Sequence, residues 1–455
     1  MALALLSHVV ADLTLGKPAL PWLPATASVR DALAALKHLA DDVTEISIWD
    51  CSPDKSFSSD LAASCALTSN SGQPSPCGLS SSHHSCLCIG KICMQNILCY
   101  LASEKCLCNL HDALDASVST LLPRSSDKCP VQHIDPDASL LEVLDLLVGG
   151  VQNLVVPITR RASFKSRHGK PGMALKTRNP TLSTKFCLPK DHDGQEYCWL
   201  THEDVLRFLL GSISVFSPLP MMSIEALGLL RADVRMVGVD QGASSIVEQI
   251  EEACCNLSAV AIVEASEDIL GAVHLVGDIS CSTLQACNET AALALNALSA
   301  GDFLVFSQDC GDPPQVLVDT IRTRVLEKLS DAEKQSHLLA SKKEETNPLL
   351  QKLEMWEDSS SEDDESGADS PIGPHDLSRK WHAPHFRSSR KGFTLKSRSG
   401  PIFCNPKSSL IAVLLQALAH REHYVWVTEE DDVLIGIVTF KDILAVMLSH
   451  INVFN

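Results

Sequence analysis

Near the end of the chain, Leu410, Val413, Leu414, Ala417 and Leu418 recur at i, i+3, i+4, i+7 and i+8, which places them on one face of a helix. The next apolar run, Tyr424-Val-Trp-Val427, is short and rich in β-branched and aromatic residues, the pattern of a buried strand. A further strand then ends in Gly436-Ile-Val-Thr439-Phe-Lys-Asp442 and leads into a closing helix. The same order occurs three more times. Leu140, Val143, Leu144, Leu147 and Val148 repeat the helical spacing before the strand Asn153–Pro157, and Val29, Ala32, Leu33 and Leu36 do so before Ile46–Trp49. Ile246, Ile250, Ala253 and Cys254 precede Ser258–Val263. A unit recurring four times fixes the architecture before any single residue is interpreted.

Each first helix is expected to open on a serine: Ser28, Ser139, Ser245 and Ser409. Ser28 with Asp31, Ser139 with Glu142 and Ser245 with Glu248 have the capping-box spacing, in which hydroxyl and carboxylate satisfy backbone N–H groups at a helix start.

From that serine to the glycine of the last strand is 27 residues in the fourth copy (Ser409 to Gly436) and 32 in the third (Ser245 to Gly277). To the matching position it is 59 in the second (Ser139 to Cys198) and 62 in the first (Ser28 to Gly90). The first two copies therefore carry insertions of about 30 residues, which loops tolerate because closure entropy grows only logarithmically with length. Residues 52–86 are rich in Ser, Cys, Gly and Pro, and 160–192 are basic and poor in large aliphatics, so neither reads as core. The expected division is repeat 1 at 1–112, repeat 2 at 117–212 and repeat 3 at 215–300. A connecting strand and helix follow at 301–330, then a linker at 331–397 and repeat 4 at 398–455.

Charge modifies this picture in one place. The net charge of -19 argues against a general nucleic-acid binder, and much of it lies in Glu357–Asp369, a nearly apolar-free stretch that reads as a disordered, solvated linker followed by basic residues from Arg379 to Arg398. The N-terminal Met-Ala-Leu-Ala-Leu-Leu lacks a basic flank and is interrupted by His8 and Asp12. The run Val205–Met222 contains Arg207, Pro218 and Pro220, so neither reads as a targeting or membrane segment and a cytoplasmic or nuclear protein is expected. The 18 cysteines then read as thiols. Cys86/Cys88 and Cys106/Cys108, with His83 and His84 nearby, have the wrong spacing for a structural zinc motif; a surface loop, a redox-responsive loop and a metal site are the readings, and no metal is expected.

Strand, Ser-capped helix, strand, strand with Gly-x-[IV]-[ST]-x-x-Asp, and closing helix together resemble the cystathionine-β-synthase (CBS) domain. Four copies resemble the paired Bateman modules of the gamma subunit of AMP-activated and sucrose-non-fermenting kinases, and the layout is similar to plant proteins made only of CBS domains. The resemblance implies an α/β fold of four repeats paired into two Bateman modules. It implies a non-catalytic regulatory protein that binds an adenosine ligand (AMP, ADP, ATP or S-adenosylmethionine) and modulates a partner, such as a protein kinase. The alternative is a nucleotide-independent scaffold with degenerate clefts. No cofactor is implied beyond that nucleotide, and self-association through the modules is a further option.

In this family the hydroxyl and carboxylate of the motif hold ribose, which suits their chemistry: a carboxylate accepts from two vicinal hydroxyls and a free helix N-terminus favours phosphate. By resemblance Gly436, Thr439 and Asp442 fill these roles in repeat 4, and Thr201 and Asp204 in repeat 2. Repeat 3 keeps the hydroxyl as Ser280 but has Thr283 for the acid, and repeat 1 has Cys93 and Asn96. Asp442 could equally cap its helix and Thr439 simply end its strand. His202, Arg207 and Lys441 stand near enough in sequence to meet phosphate, although each also suits a solvated helix. No Gly-x-Ser-x-Gly elbow, Walker loop, His-Glu-x-x-His or Gly-x-Gly-x-x-Gly is present, so no catalytic constellation can be assembled. Ser359, Ser360 and Ser361, each followed by an acid three positions on, and Ser163 after Arg160-Arg161 are candidate phosphorylation sites.

Overall fold

The computed structural model describes residues 5–39, 43–51, 86–122, 131–158, 188–192, 194–265, 271–308, 313–335, 347–354, 400–429 and 432–453. It divides into two compact units, one of Met1–Ile97, Leu114–Ser217 and Phe440–Asn455, the other of Leu98–Ala113 and Pro218–Thr439.

In the first unit a short helix α1 (Val10–Leu13) precedes β1 (Trp22–Pro24), α2 (Val29–His38), β2 (Glu45–Asp50) and β3 (Leu87–Cys93). β1 runs parallel to β2, and β2 antiparallel to β3. The helices α3 (Met94–Leu101), α4 (Glu104–Cys108) and α5 (Leu110–Asp115) close this repeat along the chain, and of them Leu98–Ala113 belong to the second unit. The second repeat has β4 (Val131–His133), α6 (Leu140–Gly149), β5 (Asn153–Pro157), β6 (Asp191–His192), β7 (Gln195–Thr201) and α7 (His202–Leu210). Its sheet order is β4-β5-β7-β6. The two sheets share one core of Leu20, Trp49, Cys88, Val131, Val155 and Trp199, with Trp22 and Tyr197 packed against it.

The second unit repeats the plan. β8 (Met236–Gly238), α8 (Ser244–Cys255), β9 (Val260–Ala265) and β10 (Val273–Ile279) form the third repeat, and β11 (Phe403–Cys404), α14 (Leu410–His420), β12 (Tyr424–Thr428) and β13 (Leu434–Thr439) the fourth. Between them run α9 (Cys281–Gln285), α10 (Ala291–Ala297), α11 (Ala300–Gln308), α12 (Gln315–Gln335) and α13 (Pro348–Glu354). Ala259, Ala261, Val263, Tyr424, Trp426, Leu434 and Ile437 form the shared core of these two sheets. The expected two modules are present as two cores, one shared by repeats 1 and 2 and the other by repeats 3 and 4. The last helix, α15 (Phe440–Val453), belongs to the first unit, where it packs on α6 and α7. Among the described residues, no helix is long and apolar enough to cross a membrane.

Within each unit the pairs are also laced by backbone. The segment ahead of repeat 1 bonds to the helix start of repeat 2 (Val10 N to Ala138 O, 3.0 Å; Leu140 N to His8 O, 3.1 Å), and the segment after repeat 1 to that repeat's own start (Val29 N to Ala116 O, 2.9 Å). In the second unit Leu410 N donates to Met222 O at 2.9 Å and Ala243 N to Leu298 O at 2.8 Å.

Four expectations need correction. Ser245 does not cap the third helix: α8 starts at Ser244, and the Ser245 hydroxyl donates to Gly242 O at 2.7 Å, so the box with Glu248 does not form. Residues 301–330 hold no strand among the described residues; they lie in α11 and α12, where Phe303 and Phe306, three apart, are both buried on a helical face. The linker is helical at both its first residues and at α13, because Asn347 accepts from Leu349 N at 2.9 Å as a cap, Pro348 suits the first turn and Leu349 and Leu350 are buried. The second insertion ends inside the sheet, as β6, with His192 buried. The rest of both insertions, and Ser163, Ser359, Ser360 and Ser361, lie outside the described residues.

Candidate functional site

The residues singled out in the motif lie where the last strand of each repeat passes into its closing helix. Three of these strands share a local distortion. The β2–β3 register shifts between Ile48 and Trp49, so that Gly90 and Cys88 face consecutive residues; the shifts in the third and fourth sheets fall likewise just ahead of Gly277 and Gly436. A β-bulge bends its strand and re-aims the residues beyond it, and here it brings another segment against the glycine. A Cβ on Gly436 would lie 2.6 Å from the Arg231 carbonyl oxygen, and on Gly90 and Gly277 it would meet the Leu122 and Leu304 side chains at 2.6 and 2.3 Å. Repeat 2 has Cys198 at this position and an unbroken register, Val156 with Cys198 and Pro157 with Tyr197.

The helix starts are largely satisfied from within. At α6 the first amide bonds to His8 O, and the Ser139 hydroxyl accepts from Glu142 N. At α14 the first amide bonds to Met222 O and Ser409 accepts from Ala412 N. Phosphate at these ends would compete with bonds already made.

In repeat 2, Thr201 caps α7 and Asp204 completes the box: Asp204 Oδ2 accepts from Thr201 N at 2.8 Å and from the Thr201 hydroxyl at 2.7 Å. The same oxygen forms an ion pair with Lys17, whose ammonium also donates to Trp199 O at 2.7 Å. A ribose reaching Asp204 must displace Lys17. Burial pushes the nearby Cys198 thiol up to about 11, Lys17 opposing and Asp204 reinforcing the shift. His202 is buried with Nε2 3.3 Å from Leu147 O, and Arg207 pairs with Glu203 one turn back at 2.7 Å, so both serve the local helix packing.

Repeat 1 keeps the same bonds with different chemistry. Asn96 Oδ1 accepts from Cys93 N at 2.9 Å, with the Cys93 thiol 3.2 Å away, so the amide caps as an acid would without its charge. In repeat 3, Ser280 caps α9 with Thr283 Oγ1 in the acid's place, accepting from Ser280 N at 3.0 Å. Ser282 donates to Glu422, and Asp278 Oδ2 accepts from the Tyr424 hydroxyl at 2.6 Å and the Trp426 indole at 2.8 Å. Burial first, then the Asp278 charge, holds the Tyr424 hydroxyl well above its ordinary range.

Repeat 4 is different. Thr439, fully buried at the end of β13, opens onto a cavity of about 40 Å³ lined also by Trp426, Ile437, Arg231, Asp233 and Arg235. That is room for a water or so, against roughly 300 Å³ for the smallest ordinary ligand pockets. Its lining nonetheless combines a tryptophan, a threonine, two arginines and an aspartate. Arg231 is fixed by its backbone to Ile437 in both directions (3.1 and 3.0 Å), and Arg235 pairs with Glu252 at 2.8 Å. Asp442 follows in the first turn of α15, and Lys441 precedes it.

Lys17, Asp278, Glu422 and Arg231 were not anticipated. Each acts on a partner more than a hundred residues away, and only Asp278, inside a motif, carried any local signal.

A model of the CBS domain matches residues 396–449. Over its length the chain is 36% identical to the CBS domain-containing protein CBSX5 of Arabidopsis thaliana, covering 98% of each. It is 26% identical to the CBS domain-containing protein CBSX6 of the same plant, covering all of this chain and 96% of that one. Among solved structures, protein MJ1225 from Methanocaldococcus jannaschii aligns with 97% of this chain and 100% of its own at 12% identity, with a TM-score of 0.47.

Proposed function

Because the chain belongs to the CBS domain-containing proteins and folds as four strand–helix–strand–strand units, we propose that it is a non-catalytic regulatory protein whose ligand site is the cleft of repeat 4. The observation that carries this reading is the cavity beneath Thr439. There Trp426 offers a face to an adenine, Arg231 and Arg235 are cations for phosphate, and Thr439 is a donor for ribose. Asp442, three residues on, is the carboxylate that the family resemblance assigns to the ribose. At about 40 Å³ the cavity must widen on binding, with the Arg231 and Arg235 side chains swinging outward. A ligand that selects the widened form shifts the protein toward it, and this is how occupancy would reach a partner such as a protein kinase.

Isothermal titration with AMP, ADP, ATP and S-adenosylmethionine tests the reading. Wild type binds at least one of them, and Asp442→Ala and Thr439→Ala weaken it about ten- to a hundredfold, the worth of a charge-assisted hydrogen bond. Absence of heat from all four ligands at millimolar concentration overturns it. The second reading, a nucleotide-independent scaffold, is favoured by the bonds that fill the junctions of repeats 2 and 3, Lys17 with Asp204 and Ser282 with Glu422.

A further inference from the structure

We propose that Cys51, Cys86 and His192 form a zinc site at the mouth of the first unit's two insertions. Among the described residues these are the one group whose ligand atoms converge, all within 4.8 Å of one another, with Cys51 Sγ 3.7 Å from His192 Nε2. A tetrahedral zinc with Zn–S near 2.3 Å and Zn–N near 2.0–2.1 Å requires ligand–ligand edges of roughly 3.5–3.8 Å. The group is within about an ångström of that geometry.

The fold brings the three together for reasons independent of one another. β2 and β3 pair antiparallel with Asp50 opposite Leu87, so the next rung outward sets Cys51 opposite Cys86. These two cysteines bracket the first insertion. His192 comes from β6, at the end of the second insertion, and is buried. Its ring stacks on Trp49 at 4.2 Å and meets Trp22 edge-on at 4.4 Å, which fixes the imidazole plane and turns Nε2 toward the sulfur atoms. Aromatic packing of this kind orients a ligand as a second hydrogen bond commonly does elsewhere.

The donor set selects the ion. Two thiolates and an imidazole are soft to borderline ligands that suit zinc and disfavour magnesium or calcium, which take oxygen. Binding displaces the thiol protons, and with Nδ1 carrying the ring proton Nε2 is available as donor. Three protein ligands leave the fourth position to water or a small anion. The ion would pin the exits of both insertions to the shared aromatic core. This site is separate from the nucleotide reading and stands or falls without it.

The test uses the full chain, reduced and stripped of metal, then given zinc and dialysed. Elemental analysis returns one zinc per chain, and cobalt in its place shows thiolate-to-metal charge transfer with tetrahedral ligand-field bands. Cys51→Ser, Cys86→Ser and His192→Gln each lose the bound ion, by more than the roughly 10–100-fold that removing a mere supporting partner costs. Cys108→Ser, an exposed cysteine of the second unit, keeps it. Cys51 is itself exposed, so its variant folds and circular dichroism checks that it has. Retention of zinc by the three variants, a cobalt spectrum without thiolate bands, or a Cys51–Cys86 disulfide whose reduction yields no metal binding overturns the proposal.

Discussion

Gly436 is the position where an added methyl group has least room to go. Its Cβ would press on the Arg231 carbonyl oxygen, a backbone atom that accepts from Ile437 N in a residue whose own N–H is also bonded to Ile437, whereas at Gly90 and Gly277 the obstacle is the end of a leucine that can turn. Gly436→Ala is therefore expected to cost about 2–3 kcal/mol and Gly277→Ala about 1 kcal/mol, read as the difference in urea midpoints. A second residue-scale effect comes from His133. Burial lowers it to about 4 from 6.5, and its Nε2 accepts from Cys88 N at 3.1 Å. The folded state therefore resists protonation that the unfolded chain accepts below 6.5. Stability is fully present above that pH and declines toward pH 4, by up to about 3 kcal/mol from this group. Melting temperatures of wild type and His133→Gln should converge as pH falls from 7 to 4.5; a constant gap would refute the assignment.

At the scale of elements, periodicity carried far. The helix at Leu410 and the strands Asn153–Pro157 and Tyr424–Thr428 stand where their patterns place them, because each buries one face or both in a sheet core. Ser28 forms its box with Asp31, and Ser139 and Ser409 cap through their hydroxyls, which accept from Glu142 N and Ala412 N. Ser245 does not, although its spacing to Glu248 is the same, since the chain enters α8 one residue earlier. Ser139→Ala should accordingly cost about 1 kcal/mol and Ser245→Ala only a few tenths, a contrast chemical denaturation can resolve. Helix α13 was hidden in an acidic, polar region because two leucines and a capping asparagine are too short a signal to outweigh composition. The junctions were legible in part. Motif spacing located Thr201, Ser280 and Thr439, but what meets them is set by pairing between distant segments, and neither Lys17 nor Arg231 leaves a local trace.

For the whole molecule the defining feature is that repeats are completed in pairs: the helix starts of repeats 2 and 4 are bonded to segments that lie in repeats 1 and 3. The first unit goes further and takes its closing helix from beyond the second. Six apolar residues of α15, Phe440, Ile443, Leu444, Met447, Leu448 and Ile451, are buried. At about 1.5–3 kcal/mol each they rival the 5–15 kcal/mol that stabilises a typical domain. A chain ending at Thr439 should thus lose the first unit, seen as early proteolysis and a red-shifted emission from Trp22, Trp49 and Trp199. During synthesis the ribosome delivers the first unit's sheets long before α15 emerges, so their apolar helices wait uncovered while the entire second unit is translated. The nascent chain consequently carries exposed apolar surface for a span set by translation speed, and slow codons upstream of Phe440 would lengthen that exposure.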